Sequence, residues 1–340
     1  MANRIGLKHL ADQLGMDVST VSRALRLDPR VKPETTAAVR AVADKLGYRP
    51  NAAARALRGG RTGRVAVLLS PPQQRFASPI FLELLATLDQ RLRGTGRTLA
   101  VFAAQQREEE AAIVRSIVEE RLADAMIIGR TRIADERIRY LLDAGFPFVS
   151  FGRTDWPDAH SWVEIDYALA GEIAVDALAQ ASPQAIHVIS GPQGQRFADN
   201  YVAGALARAQ ILGLPVPLVQ RGEMTEATGE TLGRPILAAP GRVAIACIQD
   251  SIAFGVFRAA AAAAEPLGRR VTLFGGQNFP GSEHTSPPLS TFSTEDARVA
   301  DLLSTVMLNS LDQTSHRPES HVIKPLALLR KSHLLTGSSV

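Results

Sequence analysis

From residue 64 onward, apolar runs of strand length alternate with segments of helical periodicity, and this rhythm limits the possible folds more than any other feature of the chain. Val65–Leu69, Leu99–Ala103, Ala125–Ile128 and Phe148–Phe151 read as buried strands, with helices expected near 80–93, 108–121 and 134–144. A second series places strands at Ala185–Ser190, Val243–Ile248 and Val271–Phe274, with helices near 167–180, 198–212, 226–238 and 251–265. Strands that alternate with helices form right-handed βαβ units, so each series predicts a doubly wound parallel sheet. The two series meet near residues 152–166, which predicts two α/β lobes joined there. The tail, with Leu289–Thr294, a helix to about 313 and Val322–Leu329, is expected to cross back between the lobes. Ligands of such folds sit at the carboxyl ends of the strands, where two lobes make a cleft.

The first 50 residues have a different pattern. Leu7, Leu10, Ala11 and Leu14 recur at helical spacing over about residues 6–14, and Gly15 supplies a stop. Asp17 can cap a second short helix carrying Val18, Val21 and Leu25 and ending near Leu27. Pro33 suits the first position of a third, with Val39, Val42, Ala43 and Leu46 inward and Gly47 closing it. A short helix, a glycine turn and a capped second helix, packed by a third, predict an all-α helix-turn-helix headpiece. Its second helix is expected to offer Val18, Ser19, Ser22 and Arg23, small or basic side chains that fit a major groove. From Asn51 the chain turns alanine-rich and then glycine-rich, and its roughly seven-residue helical stretch is too short to hold alone.

Charge follows the same division. Residues 1–64 hold 13 Lys and Arg against 5 Asp and Glu, a balance of +8, whereas the remaining 25 and 29 give −4. A basic headpiece on a mildly acidic body points to nucleic acid as one partner. Hydrophobic residues make up 46% of the 340, enough for sizeable cores, and no apolar run reaches the ~18 residues of a membrane span. The first residues show no secretory pattern, and the single cysteine, Cys247, excludes an internal disulfide; both fit a cytoplasmic protein with no membrane partner.

The headpiece resembles the LacI/GalR family of bacterial repressors. The resemblance is carried by Leu7 to Leu25, above all Thr20-Val-Ser-Arg-Ala-Leu25, then by Val31 and by Lys45 to Leu57 with Gly47-Tyr-Arg-Pro-Asn51. Weaker echoes keep the family's order through the body: Ser78-Pro-Ile-Phe81, Phe151-Gly-Arg153, Val163-Glu-Ile-Asp166, Ser190-Gly-Pro192, Ala203-Gly204, Gln249-Asp-Ser-Ile-Ala-Phe-Gly255 and Pro288-Leu-Ser-Thr-Phe292. The resemblance implies a headpiece over residues 1–50, a hinge helix and linker over 51–63, and a two-lobed periplasmic-binding-protein-like domain over 64–340 that binds an effector and dimerises. It assigns Val18, Ser19 and Arg23 to base edges, Thr20, Ser22 and Asn51 to phosphates, and Tyr48 to positioning the headpiece. Leu57 falls where relatives wedge a leucine into the minor groove, with Arg55 and Arg58 beside it for phosphate or groove contacts.

By position, Phe81, Arg130, Arg153, Asn200, Asp250, Gln277 and Phe292 match residues that line the effector cleft in relatives. Asp250 follows a buried strand and is expected to accept the hydroxyls of a sugar or to cap the next helix. Departures from the family are Gln249 beside Asp250, Tyr201 in place of an arginine, and Met224 in place of a stacking tryptophan; Tyr201 reads equally as core. The function this implies is a sequence-specific DNA-binding regulator. It acts as a homodimer on operator DNA, with repression the default polarity, and answers to a sugar-like effector that either releases DNA binding or, as co-repressor, tightens it. A solute-binding transport protein or a sugar-acting enzyme would use the same two lobes.

Phosphate-loop, dinucleotide, nucleophile-elbow and zinc-protease motifs are all missing, so no enzyme activity and no cofactor is expected. The seven histidines are scattered, which argues against a metal site. Cys247 lies in an apolar strand and reads as core, and Glu108–Glu110 read as acids favouring a helix dipole.

Overall fold

The computed structural model describes residues 6–25, 28, 30–46, 48, 61–69, 79–93, 95–312 and 317–335. It divides into two compact units, Met1–Gly63 and Arg64–Val340.

In the first unit, α1 (Leu7–Leu14), α2 (Val18–Leu25) and α3 (Pro33–Lys45) enclose Leu10, Ala11, Val21, Ala24, Val39 and Ala43. Gly15 closes α1 at φ 59°, a left-handed conformation open to a residue without Cβ. The Asp17 carboxylate accepts the Ser19 N–H at 2.7 Å, capping α2. Hydrogen bonding from Ser19 also holds the Asp17 carboxyl below its usual range.

The second unit opens with β1 (Arg64–Leu69), α4 (Pro79–Leu92), β2 (Thr98–Ala103), α5 (Glu109–Glu119), β3 (Ala125–Gly129), α6 (Glu136–Asp143), β4 (Phe148–Phe151) and β5 (Ser161–Ile165). It continues with α7 (Tyr167–Ala179), β6 (Ala185–Ser190), α8 (Arg196–Ile211), β7 (Leu218–Arg221), α9 (Glu226–Ala238), β8 (Val243–Cys247), α10 (Asp250–Ala262) and β9 (Val271–Phe274). It ends with β10 (Thr291–Ser293), α11 (Asp296–Asp312), β11 (Ser320–Ile323) and β12 (Leu326–Leu328). The first lobe holds a six-stranded parallel sheet ordered β11-β5-β4-β3-β1-β2, and the second a four-stranded parallel sheet ordered β7-β6-β8-β9. Both sheets are doubly wound, as the alternation predicts.

The chain passes between lobes three times: from β5 into α7, from β10 into α11, and from β11 to β12. Helix α11 packs on α4 and on β3, β4 and β5, so the tail returns to the first lobe. Strand β11 then joins that sheet beside β5, and β12 pairs antiparallel with β10. Strands β5 and β7 lie outside the series expected from sequence. Strand β5 occupies the 152–166 stretch read as a junction, because its polar residues are answered by distant chain: Ser161 Oγ accepts the Glu319 N–H at 3.0 Å. Strand β7 is a sheet edge with exposed Leu218 and Val219, so it lacks the apolar pattern of an interior strand.

Where α7 crosses α8, the two backbones nearly touch. A Cβ built on Gly204 would lie 2.0 Å from the Ala168 carbonyl oxygen, and one on Gly171 would lie 2.1 Å from that of Tyr201. Gly204→Ala must therefore force the helices apart. It is expected to lower the unfolding free energy of the full chain by about 1–3 kcal/mol, read from urea denaturation; an unchanged midpoint would remove this account of the crossing.

Candidate functional site

Two surfaces carry chemistry, and each is described within its own unit. On α2, Ser19 and Arg23 are exposed four residues apart and so share one face, while Val18, Thr20 and Ser22 are half-buried. Val18 and Ser22 are therefore less exposed than expected, and Val18 packs in part against the headpiece core. Tyr48 is also half-buried against that core, and its N–H donates to the Ala43 carbonyl at 2.8 Å. This face offers hydroxyls and a guanidinium, donors suited to guanine edges and phosphates, while the Asp17 carboxylate at its start is engaged by the Ser19 N–H. Asn51, Arg55, Leu57 and Arg58 lie outside the described residues.

In the second unit a cavity of about 660 Å³, counted to its open mouth, lies at the carboxyl ends of the strands. Of the residues expected there, Phe81, Arg130 and Gln277 line it, and so does Met224. Sequence reasoning did not place Thr131, Phe151, Gly152, Glu164, Ile165 and Tyr167 in the wall, nor Phe197, Gln249 and Thr294. Thr131, Gly152 and Gln249 lie one or two residues past strand ends, a signal the sequence does carry. Tyr167 and Thr294 lie at two of the crossings between lobes, which only the topology reveals.

Arg153 and Asn200 reach the cavity through Glu164. The Arg153 Nε–H donates to Glu164 Oε2 at 2.8 Å, and the Asn200 amide donates to Glu164 Oε1 at 3.3 Å. Arg153 also lies over the Trp162 ring, 5.0 Å from its centroid. Burial pushes the Glu164 carboxyl up, against the pull of Arg153.

Asp250 is not a cleft residue. It has no exposed surface, and its carboxylate accepts from Gly276 N–H at 2.6 Å, Thr291 Oγ1 at 2.8 Å, Phe279 N–H at 2.8 Å and Ser282 Oγ at 2.5 Å. Four donors satisfy the acid within the protein, so it has nothing left to offer a sugar. Phe292 is likewise fully buried, edge-on to Tyr167 with centroids 6.2 Å apart. Tyr201 packs against Phe292 as core, its hydroxyl pushed well up by burial. Cys247 is buried, and burial raises its thiol.

The clamp at Asp250 presents two amides to the cavity. Gln249 Nε2 donates to Gln277 Oε1 at 2.9 Å, and Gln277 Nε2 donates to Tyr167 Oη at 2.7 Å. Ser251 Oγ, 2.8 Å from Gln249 Oε1, anchors the far end of this row. Because Tyr167 Oη accepts from Gln277, its own hydrogen is left to donate elsewhere.

On the first lobe a buried ion network shapes the loop after β3. Arg137, 2% exposed, donates to Asp135 at 2.9 and 2.6 Å, to Glu110 at 2.7 Å and to the Arg130 carbonyl at 3.1 Å. Arg132 also pairs with Glu110. Glu110 thus does more than favour a helix dipole. Arg130 is held at φ 54°, and burial lowers its guanidinium to about 10, opposed by the charges of Glu223 and Glu110. The same loop touches the second lobe, where Arg196 N–H donates to the Thr131 carbonyl at 3.1 Å; Arg196 also pairs with Asp155 of the loop after β4. Among the described residues no group of acids, histidines and cysteine is arranged to hold a metal, and no helix is long and apolar enough to cross a membrane.

A helix-turn-helix unit with a donor-rich exposed face, followed by two lobes around a cavity at their strand ends, defines a ligand-responsive DNA-binding regulator. Residues 6–51 match the model of bacterial regulatory proteins of the lacI family, and residues 175–333 match that of a periplasmic binding protein-like domain. The HTH-type transcriptional regulator AglR of Rhizobium meliloti (strain 1021) is 30% identical over 341 residues, 96% of this chain and 94% of that protein. The structure of a transcriptional regulator CelR–cellobiose complex aligns with TM-score 0.73 and 23% identity over 97% of this chain and 100% of that one. The lac repressor dimer bound to operator and the anti-inducer ONPF aligns with TM-score 0.80 and 19% identity over 98% and 100%. The chain belongs to the lacI family, and it is a transcriptional regulator rather than an enzyme.

Replacing Asp250 by alanine strands two buried backbone N–H groups and two hydroxyls. Asp250→Ala is expected to cost about 3 kcal/mol or more of folding stability, measured by chemical denaturation. A variant of full stability that merely loses ligand response would restore Asp250 to the cleft.

Proposed function

We propose that this regulator reads operator DNA through α2, acts as a repressor, and has its operator affinity set by a sugar-like effector in the cavity, whether as inducer or as co-repressor. The observation that carries the reading is the pairing, in one chain, of the exposed Ser19–Arg23 face with a cavity walled by aromatic rings, polar side chains and the charged pair Arg130 and Glu164. Arg23 takes O6 and N7 of guanine, Val18 and Ser19 meet neighbouring base edges, and Thr20 and Ser22 hold phosphates. Tyr48 positions the headpiece. Residues 51–63 form the hinge, with Asn51 and Arg55 on the backbone and Leu57 in the minor groove at the operator centre. Residues 1–50 and 64–340 act as separate reading and sensing domains of a cytoplasmic homodimer, whose two headpieces occupy successive major grooves. Phe81, Arg130 and Gln277 meet the effector directly, with Arg153 and Asn200 acting through Glu164. The dimeric, operator-bound form of the lac repressor and the cellobiose complex of CelR support this assignment by fold.

Selection from a random duplex library should recover a near-palindromic site, bound more tightly than random DNA in fluorescence anisotropy. Arg23→Ala is expected to reduce that preference about tenfold or more, and wild-type affinity should fall steeply with salt. Equal affinity for all duplexes, or an unaltered preference in the variant, would overturn the reading.

A further inference from the structure

We propose that Glu164 is the effector-binding carboxylate of the cavity, and that it selects an uncharged ligand rich in hydroxyls over anionic counterparts of the same sugar. This rests on the reading of the cavity as the effector site. Glu164 lines the cavity and is 5% exposed. Its two oxygens are held unequally: Oε2 takes a 2.8 Å bond from Arg153, and Oε1 a longer one of 3.3 Å from Asn200. An ionised carboxylate only accepts, with about two lone-pair sites on each oxygen. Oε1 therefore has room for a stronger donor, and a ligand hydroxyl supplies one.

The surrounding charges favour a neutral guest. Glu164 is answered by Arg153, and Arg130, the cation in the wall, lies in the field of Glu223 and Glu110. The other polar groups of the wall, Thr131, Tyr167, Gln249, Gln277 and Thr294, are uncharged. A phosphate or carboxylate placed here would add a negative charge beside Glu164 in a site partly removed from water, where like charges repel far more than in bulk. Phe81, Phe151 and Phe197 supply apolar faces for the C–H surface of a sugar ring.

Position gives the contact a second consequence. Glu164 is on β5 of the first lobe and Asn200 on α8 of the second. A hydroxyl that takes Oε1 from Asn200 exchanges a bond between lobes for a bond to ligand, so recognition acts directly on the contact that ties the lobes at this point.

The test is a thermal-shift and calorimetric screen of the full chain against matched pairs: glucose with glucose 6-phosphate and with glucuronate, galactose with galacturonate, cellobiose with cellobionate. The stabilising members should be neutral, with affinity at least about tenfold above their anionic partners. Glu164→Gln, which keeps size and shape, should weaken the neutral ligand and shrink that preference to near unity. Asn200→Ala keeps the carboxylate and removes its competitor, so it should retain the preference and bind the neutral ligand at least as tightly. An anionic member that binds better than its neutral partner overturns the role of Glu164 while leaving the effector site in place. Loss of preference in Asn200→Ala equal to that in Glu164→Gln also overturns it. Silence from every pair overturns the effector reading and this inference together.

Discussion

A carboxylate without exposed surface must be met by donors, and those that meet Asp250 come from a stretch of chain 26 to 41 residues away. They tie the start of α10 to the segment after β9 and to β10, and so fix three things at once. Gln249, one residue before, is turned to the cavity; Gln277, between two of the donors, is turned to meet it; and β10 is set where the chain leaves for the first lobe. The acid's burial pushes its carboxyl up, and hydrogen bonds led by that from Ser282 pull it back. Its role is to make the cavity floor rather than to be part of it.

The first lobe solves a similar problem with ions. Arg137 spends its fork on Asp135, Glu110 and the carbonyl of Arg130, and Asp135 in turn accepts the N–H groups of Arg132 and Arg137. Buried pairs of this kind add little net stability, yet breaking one partner is costly. What the network secures is shape: a loop that carries Arg130 and Thr131 to the cavity and also meets Gln195 and Arg196 of the second lobe. The cavity wall and the contact between lobes are thus built from the same few residues. By linkage, any effect of a ligand on DNA binding is returned by DNA on the ligand.

Much of this was legible in the sequence. The alternation of strand and helix patterns defined both lobes, and the Gly15 turn, the Asp17 cap and Pro33 defined the headpiece, because each is written within a few neighbouring residues. Strand β7 was not legible, since an exposed edge carries no interior pattern, and β5 was hidden by polar residues that only distant partners satisfy.

For the cavity, sequence by itself fixed where ligand chemistry gathers, at the strand ends that carry Arg130 and Gln277, since that follows from the direction of parallel strands. It could not decide which acid faces the ligand. Asp250 looks exposed to the cleft until Phe279, Ser282 and Thr291 close over it, and Glu164 looks like an interior strand residue until Arg153 and Asn200 reach it. A carboxylate's availability depends on how many donors surround it, and at both acids those donors arrive from elsewhere in the chain, so only the tertiary structure could make the assignment.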